Sequence, residues 1–185
     1  SETVGTHIEV GGGHEEQRFA ALRYGKAVGN NFHVRTYGQH NVRDSFRDPW
    51  SKSPANDDWT SSQGGARVDW VPSRSIDVSL EAETYGIDVG QTYEDILTDV
   101  NDSIQVRTFN SRSQMRGAHT MARYSFTPSE ETEVALRVYY DYTEINDEFV
   151  NEKRHTVDFD VQHRFVPYWR HEVIWGAGFR FSSDQ

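Results

Sequence analysis

The sequence predicts an all-β protein, an antiparallel up-and-down transmembrane β-barrel, from three observations. Eight segments alternate apolar and polar residues with a period of two, which is typical of strands that have two different faces. All five prolines fall between these segments, as expected because proline cannot donate a hydrogen bond to a strand ladder. The connectors alternate between short and long, as in membrane barrels with turns on one rim and loops on the other.

The alternation places the predicted strands in order along the chain. They cover residues 17–28, 31–42, 64–71, 75–87, 116–126, 132–144, 155–166 and 170–181. Each has an apolar row on one face and charged or polar residues on the other; the sixth strand, for example, alternates Val134, Leu136 and Val138 with Arg137. Tight hairpins join the strands in pairs, and residues 41–63, 88–115 and 145–154 form long loops.

One long loop contains a second, competing pattern. Between residues 88 and 115, apolar side chains recur at spacings of three and four, as on one face of a helix: Tyr93, Ile96, Leu97, Val100 and Ile104. The alternative is that Ile104, Val106 and Thr108 begin an extension of the following strand beyond the membrane. Both interpretations predict a structured loop.

Composition excludes several classes of protein. The 185 residues carry a net charge of −10, which disfavours electrostatic binding of nucleic acid. Cysteine is absent, so disulfide scaffolds and thiolate metal sites are excluded. No stretch approaches the roughly 18 apolar residues of a membrane helix, and the amino-terminal segment lacks the basic and apolar regions of a signal peptide. Membrane β-strands remain compatible with the sequence, because their alternation lowers the mean hydropathy.

The alternation fits two kinds of barrel that differ in the direction of the apolar face. A soluble lipocalin-like barrel turns its apolar face inward, whereas a membrane barrel turns it toward lipid. The position of the aromatic residues favours the membrane barrel, because aromatic girdles mark the membrane interface. The residues expected to form a girdle beside the short turns are Tyr24, Phe32, Trp70, Phe126, Phe165, Tyr168 and Trp169.

The direction of the strands indicates a segment of a larger barrel. With eight strands, both ends of the chain are expected on the rim of the long loops, whereas complete bacterial barrels have both termini on the opposite side. The inward arginines would also crowd the lumen of an eight-stranded barrel, and a wider lumen would hydrate them.

Several stretches resemble barrel strands of the TonB-dependent outer-membrane receptors. The similarity lies in RFAALRYGKAVGNNFHVRTYGQHNVRD, in ANDDW followed by GGARVDWVPS, in the pair VYYDYTE and VDFDVQHRF, and in RHEVIWGAGFRF. Lys26 directly after Gly25, and His40 and Asn41 in place of an aromatic pair, depart from the usual pattern. The resemblance covers nearly the whole chain, but the plug domain of the family is absent.

This resemblance implies a place in an outer-membrane receptor with a barrel of about 22 strands. Such receptors take up a scarce small-molecule ligand, often a ferric siderophore or cobalamin and sometimes a sugar. The implied partners are outer-membrane lipid, the ligand of the full-length receptor, and the plug and TonB through the missing amino-terminal part. The implied localisation is the bacterial outer membrane.

Few residues suggest a binding site, and none suggests catalysis. The loop candidates for ligand capture are Trp50, Asp57, Asp58 and Trp59, because aromatic and charged groups converge there. The eight histidines lack metal-site spacing, so no metal or other cofactor is expected. Nothing identifies a nucleophile with a positioned base, so an enzyme is not expected. Two alternatives stay open: a complete small eight-stranded outer-membrane barrel with a structural or adhesive role, and a soluble lipocalin-like binding barrel.

Overall fold

A computed structural model describes residues 4–98, 104–168 and 170–185, and every regular element in these ranges is a β-strand. The nine strands are β1 (Gly5–Gly11), β2 (Arg18–Val28), β3 (Phe32–Arg43), β4 (Trp59–Ser73), β5 (Ile76–Thr98), β6 (Ile104–Ser129), β7 (Thr132–Asn146), β8 (Asn151–Tyr168) and β9 (His171–Asp184). Within these ranges we find no helix that is long and apolar enough to cross a membrane.

The strands form one sheet whose spatial order follows the chain. Each strand pairs antiparallel with the next, from β1 to β9, and β1 and β9 are the two edges. This confirms the predicted all-β, antiparallel, up-and-down fold. The eight predicted segments coincide with β2–β9 to within one residue or lie inside them.

The first strand was not predicted from the alternation. Strand β1 pairs with β2 from Gly5 opposite Gly25 to Gly11 opposite Phe19. It is short and bordered by glycines, so its alternation gives a weak signal. Since β1 starts toward the rim of the short turns, the expectation that both ends of the chain lie on the rim of the long loops is wrong.

The helical interpretation of residues 88–115 is also wrong. Tyr93, Ile96 and Leu97 belong to β5, whereas Ile104 begins β6, as the competing interpretation predicted. Val100 lies outside the described residues. Strands β5 and β6 pair without a register shift from Ile76 to Thr98, because every residue on one strand has a ladder partner on the other. Most of the predicted loop of residues 88–115 is therefore part of the β5–β6 hairpin.

The other long connectors are shorter than predicted. The loop before β4 covers residues 44–58 instead of 41–63, since Trp59–Gln63 find partners on both β3 and β5. The loop before β8 covers residues 147–150 instead of 145–154. Extension of strands above the apolar part of the sheet accounts for both differences.

Three prolines lie inside the strand ends, not between strands as predicted. Pro72, Pro128 and Pro167 each fall in a register shift that inserts one extra residue just before a short turn. A bulge leaves its extra residue out of the ladder, so a missing backbone N–H costs little there. These prolines therefore still avoid the hydrogen-bonded ladder, although the strands extend past them and end later than predicted.

The register keeps apolar residues opposite apolar residues across most of the sheet. One row across β3–β9 consists of Val34, Val68, Leu80, Ala122, Val138, Phe159 and Phe179. We call this side of the sheet the apolar face and the other side the charged face. No hydrophobic side chain among the described residues is buried, so this part of the chain has no internal hydrophobic core.

The sheet curves toward its charged face. The two buried polar residues, Ser79 at 9% and Asp158 at 8% exposure, both lie on that face. On the apolar face, Leu80, Val138 and Phe159 are 50%, 45% and 42% exposed. Side chains crowd one another on a concave surface and spread apart on a convex one, so the charged face is the concave side.

Candidate functional site

Ion pairs connect neighbouring strands across the charged face. The Arg67 guanidinium lies 2.8 Å from the Asp69 carboxylate on its own strand and 3.1 Å from that of Glu81 on β5. Asp158 on β8 accepts from Arg180 on β9 at 2.9 Å and lies 3.5 Å from Arg137 on β7.

Hydroxyl groups extend this network between the ion pairs. The Tyr37 hydroxyl donates to Glu83 two strands away. Asp141 accepts from the Tyr139 hydroxyl at 2.9 Å and from the Thr143 hydroxyl at 3.2 Å. Such a hydrogen-bonded polar surface is typical of a wet face and costly in a dry core.

Positive charge on this face is only partly compensated. Arg35 pairs in register with Arg67, and Arg123 with Arg137, so like charges lie directly opposite each other. Neither Arg35 nor Arg123 forms an ion pair with any described residue, and the buried Nε of Arg35 has no hydrogen-bond partner. A depression of about 300 Å³ is lined by Arg67, Asp77, Ser79, Arg123, Arg137 and Asp160. The depression therefore brings three guanidinium groups and two carboxylates together.

Aromatic residues of the expected girdle lie mostly at one margin of the apolar face. Phe32 and Trp70 are register partners close to the short turns, and Phe126 and Phe165 lie at the corresponding ends of β6 and β8. Tyr24 lies further from that margin, since its partner is Thr36. Tyr168 is exposed near the last short turn, and Trp169 lies outside the described residues.

The same margin has an aromatic contact that the sequence analysis missed. The Trp175 indole N–H on β9 donates to Nδ1 of His163 on β8 at 3.0 Å, and the two rings meet edge to face. The alternation of β9 already places Trp175 on the apolar face with Val173, whereas its contact with His163 depends on the register between β8 and β9.

A second aromatic group marks the opposite margin on β7 and β8. The Tyr140 hydroxyl is 2.9 Å from Nδ1 of His155, and the Tyr142 ring lies 4.9 Å from the His155 ring. From Val134 to Tyr142 the strand advances by eight residues. At about 3.4 Å per residue and a tilt of about 40°, this is a height of about 21 Å, near the roughly 25 Å apolar band of membrane barrels.

The predicted loop residues do not form one cluster. Trp50 is 91% exposed at the tip of the loop. The carboxylate of Asp57 accepts from the backbone N–H of Phe46 at 2.8 Å, whereas that of Asp58 lies 3.0 Å from Arg112 on β6. Trp59 is the first residue of β4. The two carboxylates therefore hold the loop in place, and only Trp50 is left projecting.

Local hydrogen bonds fix the part of the loop that carries Trp50. The Asp48 carboxylate accepts from the backbone N–H groups of Trp50 at 2.9 Å and Ser51 at 2.6 Å. The hydrogen bonds from Ser51 and then Trp50 hold the pKa of Asp48 below its ordinary value. Lys52 has a φ of 58°, a left-handed conformation that few side chains adopt. The loop is thus a defined turn.

The β5–β6 hairpin projects beyond its neighbours and is supported on both sides. Its last paired neighbours are Trp59 of β4 and Asn146 of β7. On one side, Asn56 donates to the Gln91 carbonyl at 2.7 Å. On the other, the Tyr93 hydroxyl donates to the Asp147 carboxylate at 2.8 Å. This hydrogen bond from Tyr93 is the main cause of the lowered pKa of Asp147.

The described residues contain no group of three or more histidines, aspartates and glutamates that could hold a metal ion. His163 and His171, which flank the last short turn, have different environments. His163 contacts Trp175 and the Phe165 ring, whereas His171 pairs in register with Tyr168. The candidate site is therefore the charged face together with the projecting loops.

A comparison with models of known protein families finds no match to this chain, and a comparison with curated proteins finds no related sequence.

Proposed function

We propose that this chain forms part of the wall of an outer-membrane β-barrel of the TonB-dependent receptor type. Its apolar face would contact lipid, and its charged face would line a wet lumen. The observation that carries the proposal is the register, which gathers apolar side chains on the convex face and ion pairs on the concave face. Membrane barrels have this inside-out arrangement.

A soluble lipocalin-like barrel agrees less well with the curvature. Such a barrel would enclose Leu80, Val138 and Phe159 in a dry centre, whereas these side chains lie exposed on the convex side. It would also turn Arg67 and Asp158 to bulk solvent, yet these residues lie on the concave side.

The directions of the edge strands favour a larger barrel over a complete small one. Strands alternate in direction from β1 to β9, so the two edges run the same way. A seam between β1 and β9 would be parallel, whereas closure by antiparallel pairs alone requires an odd number of further strands. In a bacterial barrel with an even strand count, this sheet would be one part of the wall.

Uptake of a small molecule is the activity that this arrangement supports. The uncompensated guanidinium groups of Arg35 and Arg123 would attract acidic groups of a plug placed in the lumen. Trp50 and the β5–β6 hairpin project from the opposite rim to the short turns, where they could meet a ligand from outside. The ligand class implied by the resemblance is a scarce compound such as a ferric siderophore.

Two single-cysteine variants test the orientation of the sheet, since the chain has no cysteine of its own. Leu80→Cys and Glu81→Cys are neighbours on β5 that project from opposite faces. Each variant is labelled with a nitroxide while unfolded and is then inserted into lipid vesicles. Lipid-dissolved oxygen should reach the label at Leu80→Cys, and a water-soluble nickel complex should reach the label at Glu81→Cys. The reverse pattern, or a chain that stays monomeric in buffer without lipid, would reject the proposal.

A further inference from the structure

The apolar face contains a shallow basin between two walls. On β3–β6, two successive rows of this face carry only small side chains: Gly38, Gly64, Thr84 and Ala118 in one row, and Thr36, Ala66, Ala82 and Thr120 in the next. The same two rows carry large residues on the flanking strands: Leu22 and Tyr24 on β2, and Tyr142 and Tyr140 on β7. The floor of the basin thus lies below its flanks.

The basin continues toward the rim of the long loops and ends at Arg116. Two depressions meet there, of about 300 Å³ and 200 Å³, and Ser62, Gly86 and Arg116 line both. A Cβ atom added to Gly86 would meet no atom within 4 Å, so there is free space beside the guanidinium. Arg116 lies at the level of Glu144, one row above the Tyr142 aromatic margin.

The carboxylates around Arg116 are occupied by other groups. Asp88 and Asp58 both pair with Arg112, and Gln114 donates to Asp88 at 3.0 Å. Glu144 accepts from the Tyr142 hydroxyl at 2.8 Å and lies 3.5 Å from the Lys153 ammonium. Arg116 itself forms no ion pair within 4 Å in the described part of the chain and acts on Glu144 only at longer range.

We propose that the basin binds one phosphorylated lipid of the adjoining membrane leaflet. The lipid phosphate would accept hydrogen bonds from the Arg116 guanidinium, whose planar fork fits a phosphate. An acyl chain would lie against the small residues below, where Gly64 and Thr84 leave room. This inference rests on the proposed function, because it requires the apolar face to contact lipid.

The place of Arg116 relative to the apolar band favours a lipid over free phosphate. Long cationic side chains near the ends of membrane-spanning segments extend to the interface, where lipid headgroups lie. The apolar floor continues from Arg116 into the band, so one ligand with a phosphate and an acyl chain would fill both parts. Free phosphate would leave the floor empty.

Retention of lipid by the vesicle-inserted chain tests the proposal. The chain is inserted into phosphatidylcholine vesicles that contain phosphatidic acid and diacylglycerol with identical acyl chains. Lipid that stays bound after transfer to detergent is identified by native mass spectrometry. The wild type should retain phosphatidic acid over diacylglycerol by about tenfold or more, the size expected from hydrogen bonds to a charged group.

Two variants and one control separate the parts of the site. Arg116→Gln should lose the preference for phosphatidic acid, and Gly86→Leu should lower retention because it fills the space beside the guanidinium. Arg47→Gln removes an exposed cation in the loop of residues 44–58 and should behave as the wild type.

Each outcome decides between the two proposals. An unchanged preference in Arg116→Gln, unchanged retention in Gly86→Leu, or displacement of phosphatidic acid by soluble glycerol phosphate would overturn the lipid site. Insertion without any selective retention would overturn the lipid site alone. Because the open edges of an isolated sheet also oppose insertion, failure of the wild-type chain to associate with either vesicles or detergent micelles would overturn the proposed membrane function and the lipid site together.

Discussion

Leu80→Arg places a charge at the middle of the proposed lipid band. Leu80 is in register with Ala122, which pairs with Val138 on β7. Val138 is four residues from each limit of the band, at Val134 and Tyr142. Arginine on the lipid face near the bilayer midplane costs about 2 to 4 kcal/mol, falling to about 0 to 1 kcal/mol near the interfaces. The folding equilibrium should therefore fall between about 30-fold and about 700-fold.

The same strand provides the matched control. Ile96 lies on the same side of β5 as Leu80, sixteen residues further along, and is 67% exposed. At about 3.4 Å per residue and a tilt of about 40°, Ile96 is about 40 Å from the Leu80 level, beyond any bilayer. Ile96→Arg should change stability by no more than about 0.5 kcal/mol, as expected for an exposed surface position.

The assay is reversible unfolding by urea in lipid vesicles, monitored by tryptophan fluorescence. The test compares the changes in unfolding free energy caused by Leu80→Arg and Ile96→Arg, because both variants introduce the same side chain on one strand. Equal destabilisation by Leu80→Arg and Ile96→Arg would refute the assignment of the band, and so would a neutral Leu80→Arg. If the chain were a soluble barrel with an apolar interior, Leu80→Arg would abolish folding in buffer.

Two further predictions concern the hairpin and the glycines of the sheet. The hydrogen bond from Tyr93 lowers the pKa of Asp147 below 3.8, so this contact should be complete above that value and lost as the pH falls through the lowered pKa. The hydrogen-exchange protection factors of residues 146–150, which are corrected for the intrinsic pH dependence of exchange, should therefore fall in acid. Retention of this pH dependence by Asp147→Asn would contradict this account. Gly117→Ala should cost about 1 to 3 kcal/mol, since its Cβ would overlap the Tyr85 ring. Gly86→Ala has open space and should be neutral in the same urea titration; equal effects would argue against the packing of Tyr85.

Alternation located the central parts of β2–β9, because there each strand has two different environments, but it did not locate the upper ends of β4, β5 and β6. Alternation predicts strands less well where both faces of a strand contact water. Above the apolar band, β5 and β6 alternate polar with apolar residues weakly, so Tyr93, Ile96 and Leu97 also matched a helical spacing. Backbone pairing with β6 makes these residues a strand, and the pairing partner of a strand cannot be predicted from its own sequence alone.

The candidate site was less predictable because it depends on contacts between strands. Arg67 and Glu81 could be assigned to one face from the sequence, but their 3.1 Å ion pair depends on the register between β4 and β5. Asp58 was a candidate for ligand capture, yet its carboxylate pairs with Arg112, 54 positions away in the chain. Long-range pairing of this kind leaves no local pattern.

The absence of a hydrophobic core among the described residues shows what the sheet requires from its surroundings. Ordering the backbone costs about 1 to 2 kcal/mol per residue, and burial of apolar surface is the main term that offsets it. The apolar side chains of this sheet are concentrated on one convex face, and none is buried by another part of the described chain. A contact that covers Leu80, Val138 and Phe159 must therefore come from outside these residues. In the proposed arrangement, the aromatic residues at both ends of the apolar face would lie at the two membrane interfaces. Fluid lipid would cover the face without needing a complementary shape, whereas a protein partner would have to follow the curvature of the whole sheet.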